Sequence, residues 1–187
     1  MENVARAQHA SVYQSALETM RDAGYAVDTN VINAALVDVP QARRRLFAVA
    51  TRDEHTTTAI IDRLRAGLAE KPMTMRDYFG DSLGTEHYYR HPRSYARRGV
   101  FSIDEPSPTI RGVNRPIPPG YAGHPGDSAP IEHARPLTTA EHAAVQTFPA
   151  DYEFCGPATA REQMIGNAVP PRLAEYVANA VSGVLDG

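Results

Sequence analysis

The chain has 187 residues, 42% hydrophobic and 22% charged, with one cysteine and a formal charge of −3. That length makes one domain or a domain with an appendage, and the hydrophobic share excludes a wholly disordered chain. A lone cysteine excludes an internal disulfide and a cysteine-based metal cluster, and no apolar run nears the roughly 20 residues that span a bilayer.

The first ten residues carry no apolar signal core, so the expected location is cytoplasmic, with no membrane partner and no metal. Tyr13, Leu17, Met20 and Ala23 then recur at helical spacing, with Gly24 where a helix would end. Tyr25, Val27, Thr29 and Val31 alternate with polar neighbours, which predicts a strand. The run Leu46 to Ala50 reads as a buried strand, and a second helix is predicted from about Thr57 to Ala69. Helix, strand, strand, helix over residues 1–70 is the tail of an α/β sheet rather than a whole one.

Residues 71–134 differ. Nine of the 15 prolines fall there, with Pro136 just beyond, so short strands joined by irregular loops are expected. Residues 135–187 return to helix. Thr138 and Glu141 form a capping box opening a helix that should end near Phe148 and Pro149. Pro170 and Pro171 start another, with Leu173, Val177, Val181 and Val184 on one stripe.

Of the 19 basic residues, 18 are arginine, and Lys71 is the single lysine. Arg90, Arg93, Arg97, Arg98, Arg111 and Arg115 cluster between His87 and Arg115 against only Asp104 and Glu105, with Tyr88, Tyr89 and Tyr95 interleaved. A planar fork of donors suits phosphates and guanine edges, so this segment reads as a nucleic-acid contact or, more blandly, as a solvated basic loop.

Four short motifs occur in order: Glu2-Asn3-Val4; Gln41-Ala42-Arg43-Arg44-Arg45; Arg135-Pro136-Leu137 through Gln146-Thr147-Phe148-Pro149; and Gly166-Asn167-Ala168-Val169-Pro170. Together they resemble the C-terminal half of the DNA (cytosine-5) methyltransferase family. The resemblance implies the last part of a doubly wound S-adenosyl-methionine domain over 1–70. A small target-recognition domain over 71–134 and a supporting segment over 135–187 would follow. It implies that a cysteine thiolate attacks C6 of a flipped cytosine, after which C5 takes the methyl group. Glu2 would protonate N3; Arg43 and Arg45 would hold the base carbonyl, the glutamate and the nucleophile loop, with Arg44 directed elsewhere. Gly166, Asn167 and Val169 would line the S-adenosyl-methionine pocket, Gly166 by permitting close backbone approach. Arg90, Arg93, Arg97, Arg98, Thr109, Arg111 and Arg115 would meet duplex DNA.

The family's Gly-rich loop and Pro-Cys nucleophile loop are not among these residues, and Cys155 lies where a small, partly buried side chain is expected. Met1 directly before Glu2 suggests the C-terminal subunit of a split enzyme, in a heterodimer whose second chain carries both loops. The setting the family suggests is restriction–modification. A non-catalytic DNA-binding module and a truncated remnant are the alternatives.

Overall fold

The computed structural model describes residues 1–94 and 96–186, so Tyr95 lies outside the described residues. β1 (Glu2–Val4), α1 (Ser11–Asp22), β2 (Ala26–Asn33), β3 (Gln41–Ala42), β4 (Arg44–Thr51) and α2 (Glu54–Ala66) open the chain. β4 is the centre of an antiparallel sheet ordered β1-β4-β2, with Glu2 opposite Phe47 and both Val4 and Ile32 opposite Arg45.

Alternation along β4 feeds two cores. Leu46 and Ala48 meet Tyr13 and Leu17 of α1 on one face. Phe47 joins Ile32, the α2 residues Ile60, Ile61 and Leu64, and Leu173 and Ala180 on the other. Gly24, at φ +81°, ends α1 as expected: its N–H reaches the Arg21 carbonyl while that of Tyr25 reaches Met20, which only a left-handed residue permits. α2 begins earlier than the predicted Thr57, because the Asp53 carboxylate accepts from the Thr56 amide at 2.7 Å and caps it.

The proline-rich stretch contains α3 (Met75–Phe79), β5 (His87–Tyr89), β6 (Val100–Ser102) and β7 (Ser107–Pro108), followed by β8 (Arg135–Pro136). β5 pairs with β6 antiparallel and β8 parallel, and β7 pairs with β3. α3 escaped the sequence reading although a Thr74–Asp77 capping box opens it. α4 (Thr139–Val145), α5 (Ala158–Asn167) and α6 (Pro171–Leu185) complete the chain. α4 starts on its capping box but stops at Val145, short of Phe148, where Thr147 turns to φ +65°.

A third core joins Met75, Tyr88, Phe101 and Ile110 to Leu137, Val145 and Ile165, so α4 and α5 pack on the irregular region while α6 returns to the sheet. Among the described residues no helix is long and apolar enough to cross a membrane.

A buried pair ties α4 to α5: His142 Nδ1 lies 2.8 Å from the Glu162 carboxylate, which is 4% exposed. Burial alone would raise the Glu162 pKa, but hydrogen bonding from His142, with Thr139 and Asn114 nearby, outweighs it and holds the value below 4.5. A depressed folded pKa means stability that is full above the unfolded value and lost as pH falls. Chemical denaturation at a series of pH values should therefore show stability declining below about pH 4.5, and Glu162→Gln should flatten that part of the slope.

Candidate functional site

Register brings the first pair together. Glu2 and Arg45 lie diagonally on one face of the β1–β4 ladder, and Arg45 Nε stands 2.8 Å from Glu2 Oε1. The Arg45 side chain is 13% exposed and that of Glu2 30%. Burial lowers the Arg45 pKa, and the Glu2 charge opposes that shift.

Arg43 behaves differently from its neighbour. It is fully buried; Nη1 donates to the Ile110 carbonyl at 3.2 Å, and Nη2 donates to those of Gly166 and Ala168 at 3.0 and 2.8 Å. Burial, then the Arg45 charge, lower its pKa to about 10, with Glu2 acting in the opposite direction. Both arginines were expected to orient the glutamate. Arg45 contacts it, whereas Arg43 grips main-chain carbonyls. Arg44 is exposed. Gln41 and Gln146, both fully buried, continue the network: Gln41 accepts from the Ile110 amide at 2.9 Å and donates to Gln146 at 2.9 Å, and Gln146 donates to the Ile165 carbonyl at 2.5 Å.

A cleft of about 620 Å³ opens over this network, bordered by Arg45, His91, Arg93, Arg111, Arg115 and Asn167. A second, of about 820 Å³, shares Arg93 and Arg111 and adds Arg90, Arg97 and Arg98. The six clustered arginines fall into two groups. Arg90 donates to the Thr109 carbonyl at 2.7 Å and Arg111 to that of His91, a reciprocal cross-link between two segments. Arg98 bonds Glu105 at 2.5 Å and lies 4.3 Å above the Phe101 ring centroid. Thr109 is an anchor too, its hydroxyl donating to the Ala42 carbonyl at 2.9 Å. Arg93, Arg97 and Arg115 are exposed and have no side-chain partner among the described residues.

The positive charge is dense enough to act on its own members. Burial, then Arg111 and Arg93, lower the Arg90 pKa to about 10, the Tyr88 contribution opposing them. Burial, then Arg115 and Arg111, push His91 below 6.5. Such a cleft suits a polyanion.

The three residues expected at a cofactor divide as well. Gly166 is buried against backbone: a Cβ there would stand 2.1 Å from the Gly112 nitrogen and 2.3 Å from the Arg111 carbonyl carbon. The close approach expected of a cofactor is made by this chain's own 111–112 peptide. Val169 packs beside the α2–α6 core, and Asn167 is exposed on the cleft wall. Cys155 is exposed rather than half-buried. No trio of metal-ligating side chains occurs among the described residues.

The model of the C-5 cytosine-specific DNA methylase family matches residues 1–183. The type II methyltransferase M.HgiDI of Herpetosiphon aurantiacus is 49% identical over 187 residues, covering 100% of this chain and 60% of its own length. M.HindV of Haemophilus influenzae is 49% identical over 184 residues, covering 97% and 60%. The chain thus spans about 60% of the length of these relatives. Among solved structures, the S. pombe Dnmt2 methyltransferase superposes with a TM-score of 0.63 at 14% identity, covering 100% of this chain and 66% of its own. A putative DNA modification methyltransferase from an E. coli prophage gives 0.62 at 16%, covering 100% and 69%. At those identities the structures speak to the fold alone.

The division among the arginines has a stability signature. Arg98→Ala should cost about 1–2 kcal/mol in denaturant unfolding, through its ion pair and its ring contact, and Arg97→Ala less than about 0.5.

Proposed function

The chain belongs to the C-5 cytosine-specific DNA methylase family, and on that premise we propose that it forms the glutamate- and arginine-bearing part of a DNA cytosine-5 methyltransferase of the type II restriction–modification kind. The observation that carries this reading is the Glu2–Arg45 contact of 2.8 Å beside a cleft bordered by Arg93, Arg111 and Arg115.

The chemistry follows from where charge develops. A stacked cytosine cannot be reached, so the target base leaves the duplex and enters the cleft. When a thiolate adds to C6, negative charge builds on the ring, and a proton delivered to N3 lowers the barrier. Glu2 is the donor. Arg45 engages its Oε1 and leaves Oε2 for N3. Arg93, Arg97 and Arg115 meet the phosphate backbone, because their guanidinium groups have no partner to give up among the described residues.

S-adenosyl-methionine, the donor the family implies, supplies an electrophilic methyl group. This chain offers it the exposed Asn167 amide and the wall around Val169, while the Gly166 carbonyl is already taken by Arg43. Cys155, between α4 and α5, borders neither cleft. The nucleophile and the rest of the cofactor site lie outside these residues, and the reading assigns them to a second chain paired with this one. β1, three residues long and hydrogen-bonded on one side only, gives that chain an edge next to Glu2.

The test combines this chain with the nucleophile-bearing segment, duplex DNA and labelled S-adenosyl-methionine. Methyl transfer should appear only in the mixture. Glu2→Gln should lower the rate about 10²- to 10⁴-fold, the usual worth of a positioned proton donor. Arg115→Ala should instead weaken binding on every duplex and reduce the salt dependence by about one ion. Transfer by this chain alone, or an unchanged rate in Glu2→Gln, would overturn the proposal.

A further inference from the structure

We infer that Gln41, Arg43 and Gly166 are positioning residues: they lock segment Thr109–Gly112 at a set depth beside the Glu2–Arg45 pair, so that base discrimination and methyl transfer depend on one rigid contact. The inference rests on the DNA-methylating reading above and deepens it.

Every residue of the segment is held. The Ile110 N–H donates to Gln41 at 2.9 Å and its carbonyl accepts from Arg43 at 3.2 Å, so side chains almost 70 positions earlier satisfy both main-chain groups. The Thr109 carbonyl is taken by Arg90 and its hydroxyl by the Ala42 carbonyl. The peptide joining Arg111 to Gly112 presses on Gly166, where a Cβ would meet backbone at 2.1 Å. A Cβ on Gly112 would stand 3.0 Å from the Gln163 Cα, so the segment is confined from that side too. A loop ordinarily orders when it binds and loses affinity in doing so; this one is ordered beforehand.

Sequence order supplies the coupling. Gln41 and Arg43 belong to the same short span as Arg45, while Arg111 lies within the locked segment and Arg115 three residues beyond it. A shift of the segment is therefore a shift of the cleft's arginines relative to the pair that handles the base. Arg43 thus acts through other groups, and Arg45 is the arginine of the motif that contacts the catalytic carboxylate.

The test uses the complex of this chain with the nucleophile-bearing segment, and wild type first supplies the preferred duplex by bisulfite sequencing. Affinity and methylation are then compared on that duplex and on single-base-pair variants, alongside hydrogen exchange at the Ile110 amide. Gly166→Ala, and Arg43→Lys, whose single ammonium cannot span three carbonyls, should reduce discrimination about tenfold or more. Gly112→Ala, with its milder overlap, should do so to a lesser degree if Gly166→Ala fails to fold. Gln41→Ala should speed Ile110 exchange at least about tenfold. Leu64→Ala destabilises the separate α2 core and should leave discrimination intact. Undiminished discrimination in the folded glycine and Arg43 variants, or an equal loss in Leu64→Ala, would overturn the lock. Wild type that transfers no methyl group would sink the reading above, and the exchange data would still decide the lock: an Ile110 amide unprotected in wild type, or one unaffected by Gln41→Ala, refutes it.

Discussion

One buried guanidinium ties the sheet to both the irregular region and the end of α5. Arg43 donates to the Ile110 carbonyl in the irregular region and to the Gly166 and Ala168 carbonyls at the end of α5, while its backbone leads into β4, the centre of the sheet. A buried charge is costly unless its hydrogen-bonding groups are met. Among the described residues no carboxylate touches it; carbonyl dipoles from two remote segments do, and its Nε stays without a partner. The arrangement therefore trades stability for registration. Replacing Arg43 by an apolar residue of similar volume would remove a desolvation cost but would also release one of the contacts that hold the irregular region against the sheet.

Net charge hides the electrostatic character of this protein. The chain sums to −3, yet two of its clefts are bordered by arginines that depress one another's pKa values. Such crowding is unfavourable in the free protein, and it is relieved when a polyanion enters. Within that crowd the arginines divide: Arg90, Arg98 and Arg111 spend donors on carbonyls or a carboxylate and shape the walls, while Arg93, Arg97 and Arg115 stay exposed. Focused positive potential also speeds the approach of a polyanion, in a manner that salt suppresses.

How far the sequence carried this picture depends on how local each cause is. α1 and its Gly24 terminus, the apolar run of β4 and the capping box of α4 were legible because each is set by residues within a few positions. α5 was not, since it buries only Glu162, Ile165 and Gly166 and so lacks an apolar stripe. The roles of Arg43 and Arg45 were beyond reach for a different reason: the same side chain two residues apart meets a carboxylate in one case and three carbonyls in the other, and only long-range contacts distinguish them. Gly166 makes the point most sharply. The rule that a glycine marks close backbone approach was right, but the approaching group was a peptide more than 50 residues earlier in the chain.

The placement of Glu2 shows what the rest of the site still requires. Its strand, β1, has three residues and, among the described residues, one neighbour, and its register against Phe47 and Arg45 orients the carboxylate. Short edge strands fray, whereas a catalytic group has to be held within about 0.5 Å of its productive position. The Arg45 contact narrows the carboxylate's range from one side. A strand laid along the open edge would narrow it from the other, and the segment that brings the nucleophile would then also sharpen the aim of the proton donor. Under the proposed function, adding that segment would raise the rate twice, by supplying the thiolate and by ordering Glu2. The carboxylate's mobility should therefore fall when the segment binds, even where its cysteine has been replaced by alanine.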